Sequence, residues 1–158
     1  MQVRMSAQRY SVLDKIDAGG MAEVWRGKAV SLQGFEKLVA IKRVLPELSE
    51  NDRFMRMFLD EARLSLSLNH ANIVQTFDIG VSDSKYFIVM EWVDGANLKT
   101  ICETAVEQGF RIPKEQAVFI MTEVCKGLSH AHSRRDSEGN NLGVVHRDIS
   151  PPNVLISR

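Results

Sequence analysis

The hydrophobic period of the chain changes at Asp94-Gly95, and that change limits it to folds that set a sheet apart from a group of helices. Before this point most segments read as strands. Residues 10–18 and 22–30 flank the short Gly19-Gly20-Met21 link, which predicts a hairpin. Residues 35–45 form a third strand, apolar on both faces through Leu38-Val39-Ala40-Ile41, as expected of a strand covered on both sides; Pro46 ends it. Residues 51–68 read as a helix that Asn51 can cap, with Met55, Leu59, Ala62 and Leu66 as one apolar stripe. Residues 73–81 and 85–93 then form a hairpin around Ser82-Asp83-Ser84.

After Gly95 helical spacing takes over. Residues 97–108 predict one helix and 114–133 a longer one, with Pro113 at its start, where the missing N–H does no harm. Ala117, Ile120, Met121, Val124, Leu128 and Ala131 recur along the longer helix at helical spacing. Residues 134–143 are polar and punctuated by glycine, hence a loop, and residues 153–157 are a candidate last strand. The 158 residues suffice for a real core, and no internal repeat is present.

Charge and composition exclude several function classes. Lys+Arg and Asp+Glu both count 20, so the basic excess or stripe of a nucleic-acid binder is missing. No run approaches the ~18 apolar residues of a membrane span, and the first ten residues lack the apolar core of a signal peptide. Cys102 and Cys125 show neither metal-ligand nor redox spacing and read as reduced, structural residues; the expected compartment is cytoplasmic.

Three groups of residues carry chemistry. On an alternating strand Lys42 shares a face with Ala40 and Val44, so its ammonium points among apolar neighbours and needs an anion or a path to water. Glu61 lies at the edge of the helical stripe with no Lys or Arg three or four residues away, whereas Asp60 has Arg56 and Arg63 at those spacings. Glu61 therefore needs a partner from elsewhere, and Lys42 supplies one. The small residues around Gly19 and Gly20 let backbone N–H groups approach an anion, although an ordinary hairpin turn has the same composition. Finally, His146-Arg147-Asp148-Ile149-Ser150-Pro151-Pro152-Asn153 offers a carboxylate and an amide oxygen five residues apart on a proline-stiffened loop. A carboxylate can accept a hydroxyl proton, and an amide oxygen is a hard ligand suited to magnesium.

With these residues in place the chain resembles the protein kinase family, most closely the bacterial, eukaryotic-like Ser/Thr kinases. The resemblance is carried by Val39-Ala40-Ile41-Lys42, by Phe58-Leu59-Asp60-Glu61-Ala62 and by the segments 68–74, 90–95 and 146–153, in the family's order. It implies an α+β fold: a small lobe over residues 10–93, with a five-stranded antiparallel sheet and one helix, then the first helices and catalytic loop of a large lobe over 94–158. It further implies ATP and Mg²⁺ as cofactors and phosphoryl transfer to Ser/Thr hydroxyls of a protein substrate. Ile16, Val24 and Ala40 would roof the adenine and Leu155 would floor it. The Glu91 carbonyl and Val93 amide would bond its edge, with Met90 as gatekeeper and Asn97 near the ribose. Gly19 and Gly20 belong to the phosphate turn, Lys42 would hold the phosphates while paired to Glu61, Asp148 would orient and deprotonate the hydroxyl, and Asn153 would bind Mg²⁺.

Departures from the family pattern are local. Asp17 stands at the usual first glycine of the loop and Ala22 at the third; an acidic side chain there is expected to weaken nucleotide binding unless it turns away. Ser150 replaces the usual catalytic lysine and can donate only a hydroxyl hydrogen bond. The family's Asp-Phe-Gly and Ala-Pro-Glu segments do not occur in the 158 residues, so the expectation is an N-terminal portion of a kinase domain, with self-association through the open face of helix 114–133. The competing expectations are a catalytically incomplete, pseudokinase-like module that binds nucleotide or docks on a partner, and a helix-rich interaction domain, which leaves Lys42 and Asp148 unexplained.

Overall fold

The computed structural model describes residues 9–82 and 85–158. Asp83 and Ser84 of the expected second turn, and most of the N-terminal stretch read for a leader, lie outside the described residues. The chain forms two compact units, one ending at Asn69 and resuming over Gln75–Trp92, the other made of His70–Val74 and Val93–Arg158.

In the first unit, β1 (Tyr10–Ala18), β2 (Ala22–Val30), β3 (Glu36–Val44), β4 (Thr76–Ser82) and β5 (Lys85–Glu91) build one antiparallel sheet in the order β1-β2-β3-β5-β4. The central strand β3 is buried on both faces at Val39, Ala40 and Ile41, but Leu38, read as part of that run, is exposed. Pro46 does more than end β3: it opens α1 (Pro46–Ser49), a single turn too short to show a period in sequence. Then α2 (Asp52–Ser67) starts at Asn51, whose side chain accepts the Phe54 N–H at 3.0 Å.

Each face of the sheet has its own apolar cluster. Val39, Ile41, Phe87 and Val89 pack together under Tyr10, Trp25 and Ala29. On the other face Val44 and Ile88 meet Met55, Phe58 and Ala62 of α2. The buried stripe of α2 is thus 55–58–62; Leu59 is only half-buried and Leu66 is exposed, which corrects the stripe expected from sequence. The error arises because Phe58 and Leu59 are both apolar and adjacent, so spacing alone does not choose between faces 100° apart.

The first strand curls over the first of these clusters. A Cβ on Gly27 would lie 2.7 Å from the Ser11 carbonyl oxygen and 2.6 Å from Ile41 Cδ1, so glycine is required for this close approach. The Tyr10 hydroxyl donates to Asp78 Oδ2 at 2.8 Å, tying β1 to β4, the two edges of the sheet. Burial, then the hydrogen bond to Asp78, push the Tyr10 pKa up to about 12 from 10.0. The neutral phenol is favoured by folding, so its contribution is complete below pH 10.0 and is lost as pH rises to about 12. The urea midpoint of the parent chain is expected to fall more between pH 9 and pH 12 than that of Tyr10→Phe. Equal falls would remove Tyr10 from the pH dependence.

In the second unit, β6 (Gly95–Asn97) pairs antiparallel with β7 (Leu155–Ser157), and the helices are α3 (Leu98–Glu107) and α4 (Lys114–His132). β6 went unread in the sequence because three residues show no alternation. A Cβ on Gly95 would overlap the Ile156 carbonyl oxygen, so glycine is needed for β6 to reach β7. On α4 the buried residues are Gly127 and Ala131; Ile120, Val124 and Leu128 are half-buried, while Ala117 and Met121, placed on the stripe from sequence, are exposed with Val118 and Phe119. Cys102 is half-buried and Cys125 exposed, both unpaired, so Cys125 is not a core residue. The polar loop after α4 is organised by Asp136, which accepts the N–H groups of Glu138 and Asn140, with Arg135 bridging Asn141. Among the described residues no helix is long and apolar enough to cross a membrane.

Candidate functional site

Register places most first-unit candidates on one face. Val24 lies opposite Lys42, and Ala40 opposite Met90. Cross-strand partners point the same way and residues two apart share a side, so Val24, Ala40, Lys42 and Met90 line a single face. The α2 helix packs on that same face, since Val44 and Ile88 of the sheet meet its buried stripe. Glu61 follows Phe58 by three residues and is carried to the sheet with it. The Lys42 ammonium reaches Glu61 Oε1 at 3.2 Å, the partnership that neither residue could find on its own element. Asp60 pairs with Arg63 at 3.3 Å, one of the two partners its spacing offered.

The Lys42 and Glu61 side chains are 31% and 61% exposed. A pair this wet contributes only about 0–1 kcal/mol to folding, so stability does not explain an ammonium on an apolar face. Three interactions mark the turn between β1 and β2. The Gly19 N–H donates to the Ala22 carbonyl at 2.9 Å, and Lys15 pairs with Glu23 at 2.6 Å. The Lys15 hydrogen bond, then that of the Trp25 indole, hold the Glu23 carboxyl below its usual range. Asp17 accepts the Ala18 N–H at 2.8 Å, a bond within its own end of the turn. A Cβ on Gly20 would meet nothing, and one on Gly19 only the Ala22 carbonyl at 3.8 Å, so the fold itself demands glycine at neither place.

Ile16 sits at the irregularity of β1 between Lys15 and Asp17 and is exposed. Met90 packs against the Val44–Met55–Phe58 cluster. Glu91 is fixed by Gln75 twice: its N–H donates to the Gln75 carbonyl at 2.8 Å, and its carboxylate accepts the Gln75 N–H at 3.3 Å. Gln75 had not been singled out in sequence, where an isolated glutamine carries no signal.

The second unit holds the remaining candidates. Arg147 has φ 66°, the only positive value at a non-glycine residue among those described. Holding an L-residue there costs roughly 1–2 kcal/mol, and the bend precedes Asp148 directly. The Asp148 N–H donates to His146 Nδ1 at 3.3 Å. A 3₁₀ turn, Pro151–Asn153, then brings Asn153 back: its amide nitrogen donates to Asp148 Oδ2 at 2.8 Å, to the Asp148 carbonyl at 3.1 Å and to Ser150 Oγ at 3.2 Å. Asp148, Ser150 and Asn153 thus form one cluster. With its nitrogen engaged, Asn153 is left with its amide oxygen, a hard donor of the kind Mg²⁺ takes while keeping several waters. Asn97 caps α3 by accepting the Thr100 N–H at 2.8 Å, which fixes its oxygen toward the helix and leaves its amide N–H groups free to turn to a ligand. Leu155 lies opposite Asn97 and is exposed, and Val93 is half-buried.

Comparison with known proteins identifies the family. The family profile described as Protein kinase domain matches residues 10–158. Tyrosine-protein kinase MasK of Myxococcus xanthus is 38% identical over 148 residues, 94% of this chain and 23% of MasK. Serine/threonine-protein kinase PrkC of Bacillus subtilis is also 38% identical, over 94% of this chain and 20% of PrkC. Among solved structures, the PknI kinase domain of Mycobacterium tuberculosis superposes with a TM-score of 0.72 at 27% identity, over 99% of this chain and 58% of that one. The chain therefore spans about a fifth to a quarter of these curated relatives and somewhat over half of the solved domain. Its strands, its Lys42–Glu61 pair and its 146–153 loop all fall within the matched region, and the chain belongs to the protein kinase family.

Proposed function

We propose that the chain provides the nucleotide-gripping sheet and the catalytic loop for ATP-dependent phosphoryl transfer to Ser/Thr hydroxyls of proteins. The observation that carries this reading is the Lys42–Glu61 ion pair, too exposed to serve stability and held on a face with Val24, Ala40 and Met90. In this reading Lys42 holds nucleotide phosphates, oriented by Glu61. Gly19 and Gly20, which the fold does not itself require, keep side chains out of the path of an anion approaching the turn, while the Gly19 N–H itself is given to the Ala22 carbonyl. The first unit would offer Ile16, Val24, Ala40, Met90 and Glu91 to the nucleoside, and the second unit's own candidates are Val93, Asn97 and Leu155.

Asp148 accepts the proton of the attacking hydroxyl, and Ser150 both fixes the Asn153 amide and can donate its own O–H. Asn153 would hold Mg²⁺, which when bound neutralises phosphate charge. Phosphoryl transfer draws mainly on positioning and charge, so a few fixed groups suffice once the set is complete, and the family's Asp-Phe-Gly segment is not among these 158 residues. A cytoplasmic location and self-association through the exposed Phe119–Met121 side of α4 belong to the same proposal.

The test is transfer of label from γ-labelled ATP with Mg²⁺ to peptides bearing Ser, Thr or Tyr alone, beside calorimetric titration of ATP. Label on Ser or Thr that Asp148→Ala abolishes is the expected result. Label on Tyr alone would place the acceptor with the kind named for MasK. Binding without transfer would favour the incomplete, nucleotide-binding module.

A further inference from the structure

One side chain joins the two ends of the face that the first unit offers to a nucleoside. Arg26 stands on β2 opposite Ala40 and two residues from Val24, so it rises from that same face. Its guanidinium meets Asp14 of β1 twice: Nε donates to Oδ1 at 2.9 Å, and Nη2 lies 2.7 Å from the same oxygen. Its Cζ also lies 5.8 Å from the centre of the Trp92 ring, within reach of a cation–π contact. Trp92 directly follows Glu91, the last residue of β5. In the sheet order β1-β2-β3-β5-β4 the whole width of β3 separates Arg26 from that point. Lys15–Glu23 and Lys28–Glu36, by contrast, tie neighbouring strands that already share a ladder. Arg26 reaches across β3, where the residue opposite it, Ala40, offers only a methyl group in the way.

Arg26 holds β1 where its ladder is weakest. β1 slips register against β2 twice, between Val12 and Asp14 and again between Lys15 and Asp17. Asp14 and Lys15 are the residues in register between the slips, and both carry a side-chain bond to β2, Asp14 to Arg26 and Lys15 to Glu23. Ile16, the roof candidate on β1, lies at the second slip. Where backbone pairing is interrupted, side chains decide where the strand sits. Stability does not account for the contact: Arg26 and Asp14 are 42% and 55% exposed, and so wet a pair is worth little to folding. A lysine would serve such a pair as well, whereas a planar guanidinium can give its edge to a carboxylate and its face to a ring.

We propose that Arg26 is a positioning residue: clasped between Asp14 and Trp92, it fixes the distance from the roof strands β1 and β2 to the end of β5, and so sets how tightly the site holds a nucleotide base. This role rests on the nucleotide reading of the face and adds to it a group that touches neither phosphate nor acceptor hydroxyl. With the clasp closed, Ile16 and Val24 keep one spacing from Glu91. Without it, β1 is free to shift at its two slips, and the base loses roof contact.

The test is calorimetric titration of the full chain with ATP and Mg²⁺, beside urea unfolding, for the parent, Arg26→Met, Trp92→Leu, their double variant and Arg26→Lys. Arg26→Met is expected to weaken ATP binding about three- to tenfold, as one exposed ion pair with one cation–π contact allows, while the urea midpoint stays unchanged. Trp92→Leu should lose part of that affinity, and the double variant no more than Arg26→Met alone. Arg26→Lys, which keeps the charge but cannot serve both partners, should stay about twofold or more weaker than the parent. Full recovery by lysine, additive losses in the double variant, or a fall in urea stability that matches the lost affinity would each overturn the clasp. ATP binding weakened by Lys42→Met but untouched by Arg26→Met would overturn this role alone, whereas a parent that binds no ATP would overturn the nucleotide reading with it.

Discussion

Changing Asp148 to asparagine is expected to lower phosphoryl transfer by about 10²–10⁴-fold, the range a positioned proton acceptor supplies. The substitution is chosen because it keeps the loop. Asparagine retains an oxygen to accept the Asn153 amide, which now bonds Asp148 Oδ2 at 2.8 Å, and the main-chain bond from Asn153 to the Asp148 carbonyl is untouched. What disappears is a group able to take a hydroxyl proton. ATP affinity should therefore change by less than about twofold, a loss confined to the step and not to binding. Single-turnover transfer beside calorimetry checks both parts. A parallel collapse of ATP affinity would make Asp148 a structural residue of its loop.

Phe58→Ala is expected to cost about 3–5 kcal/mol of stability in the first unit, the usual cost of removing a buried aromatic ring. Phe58 is almost wholly buried among Val44, Met55, Ala62 and Ile88, and it stacks with Phe54 at a centroid distance of 6.4 Å. Because a typical domain has only about 5–15 kcal/mol to lose, the urea midpoint should fall steeply. Leu66→Ala, on the same helix but exposed, should stay within about 0.5 kcal/mol of the parent. If the two variants lost equal stability, the 55–58–62 face would not be the packing face. The functional consequence is coupled: Phe58 docks the turn that carries Glu61, so the Phe58→Ala variant should also bind ATP less tightly.

The sequence was most informative where a residue's local environment left a need unmet. Lys42 and Glu61 could be matched because one stood on an apolar strand face and the other had no helical partner, and they meet at 3.2 Å. Bounds were readable where chemistry marks them, as with Asn51 capping α2 and the Gly19-Gly20-Met21 link ending β1. The short elements β6 and α1 were not, since no period develops over three or four residues, whereas β7, equally short, was marked by the apolar run Val154-Leu155-Ile156. The Asp148–Ser150–Asn153 cluster was only half legible. Its composition pointed to acid and ligand chemistry, but the bonds depend on the left-handed turn at Arg147 and the 3₁₀ turn after it, and no side-chain pattern announces either.

The central claim is that the Lys42–Glu61 pair exists to hold a polyphosphate, and a double-mutant cycle read by ATP titration tests it most directly. Lys42→Met, Glu61→Gln and the double variant would be titrated with ATP and Mg²⁺, with urea unfolding of each alongside. Loss of one charge-assisted contact predicts about 10–100-fold weaker ATP binding for Lys42→Met, a smaller loss for Glu61→Gln, and little further loss in the double variant. Stability should change by less than about 1 kcal/mol throughout, as befits an exposed pair. Unchanged ATP affinity in Lys42→Met, with stability lost instead, would contradict the account.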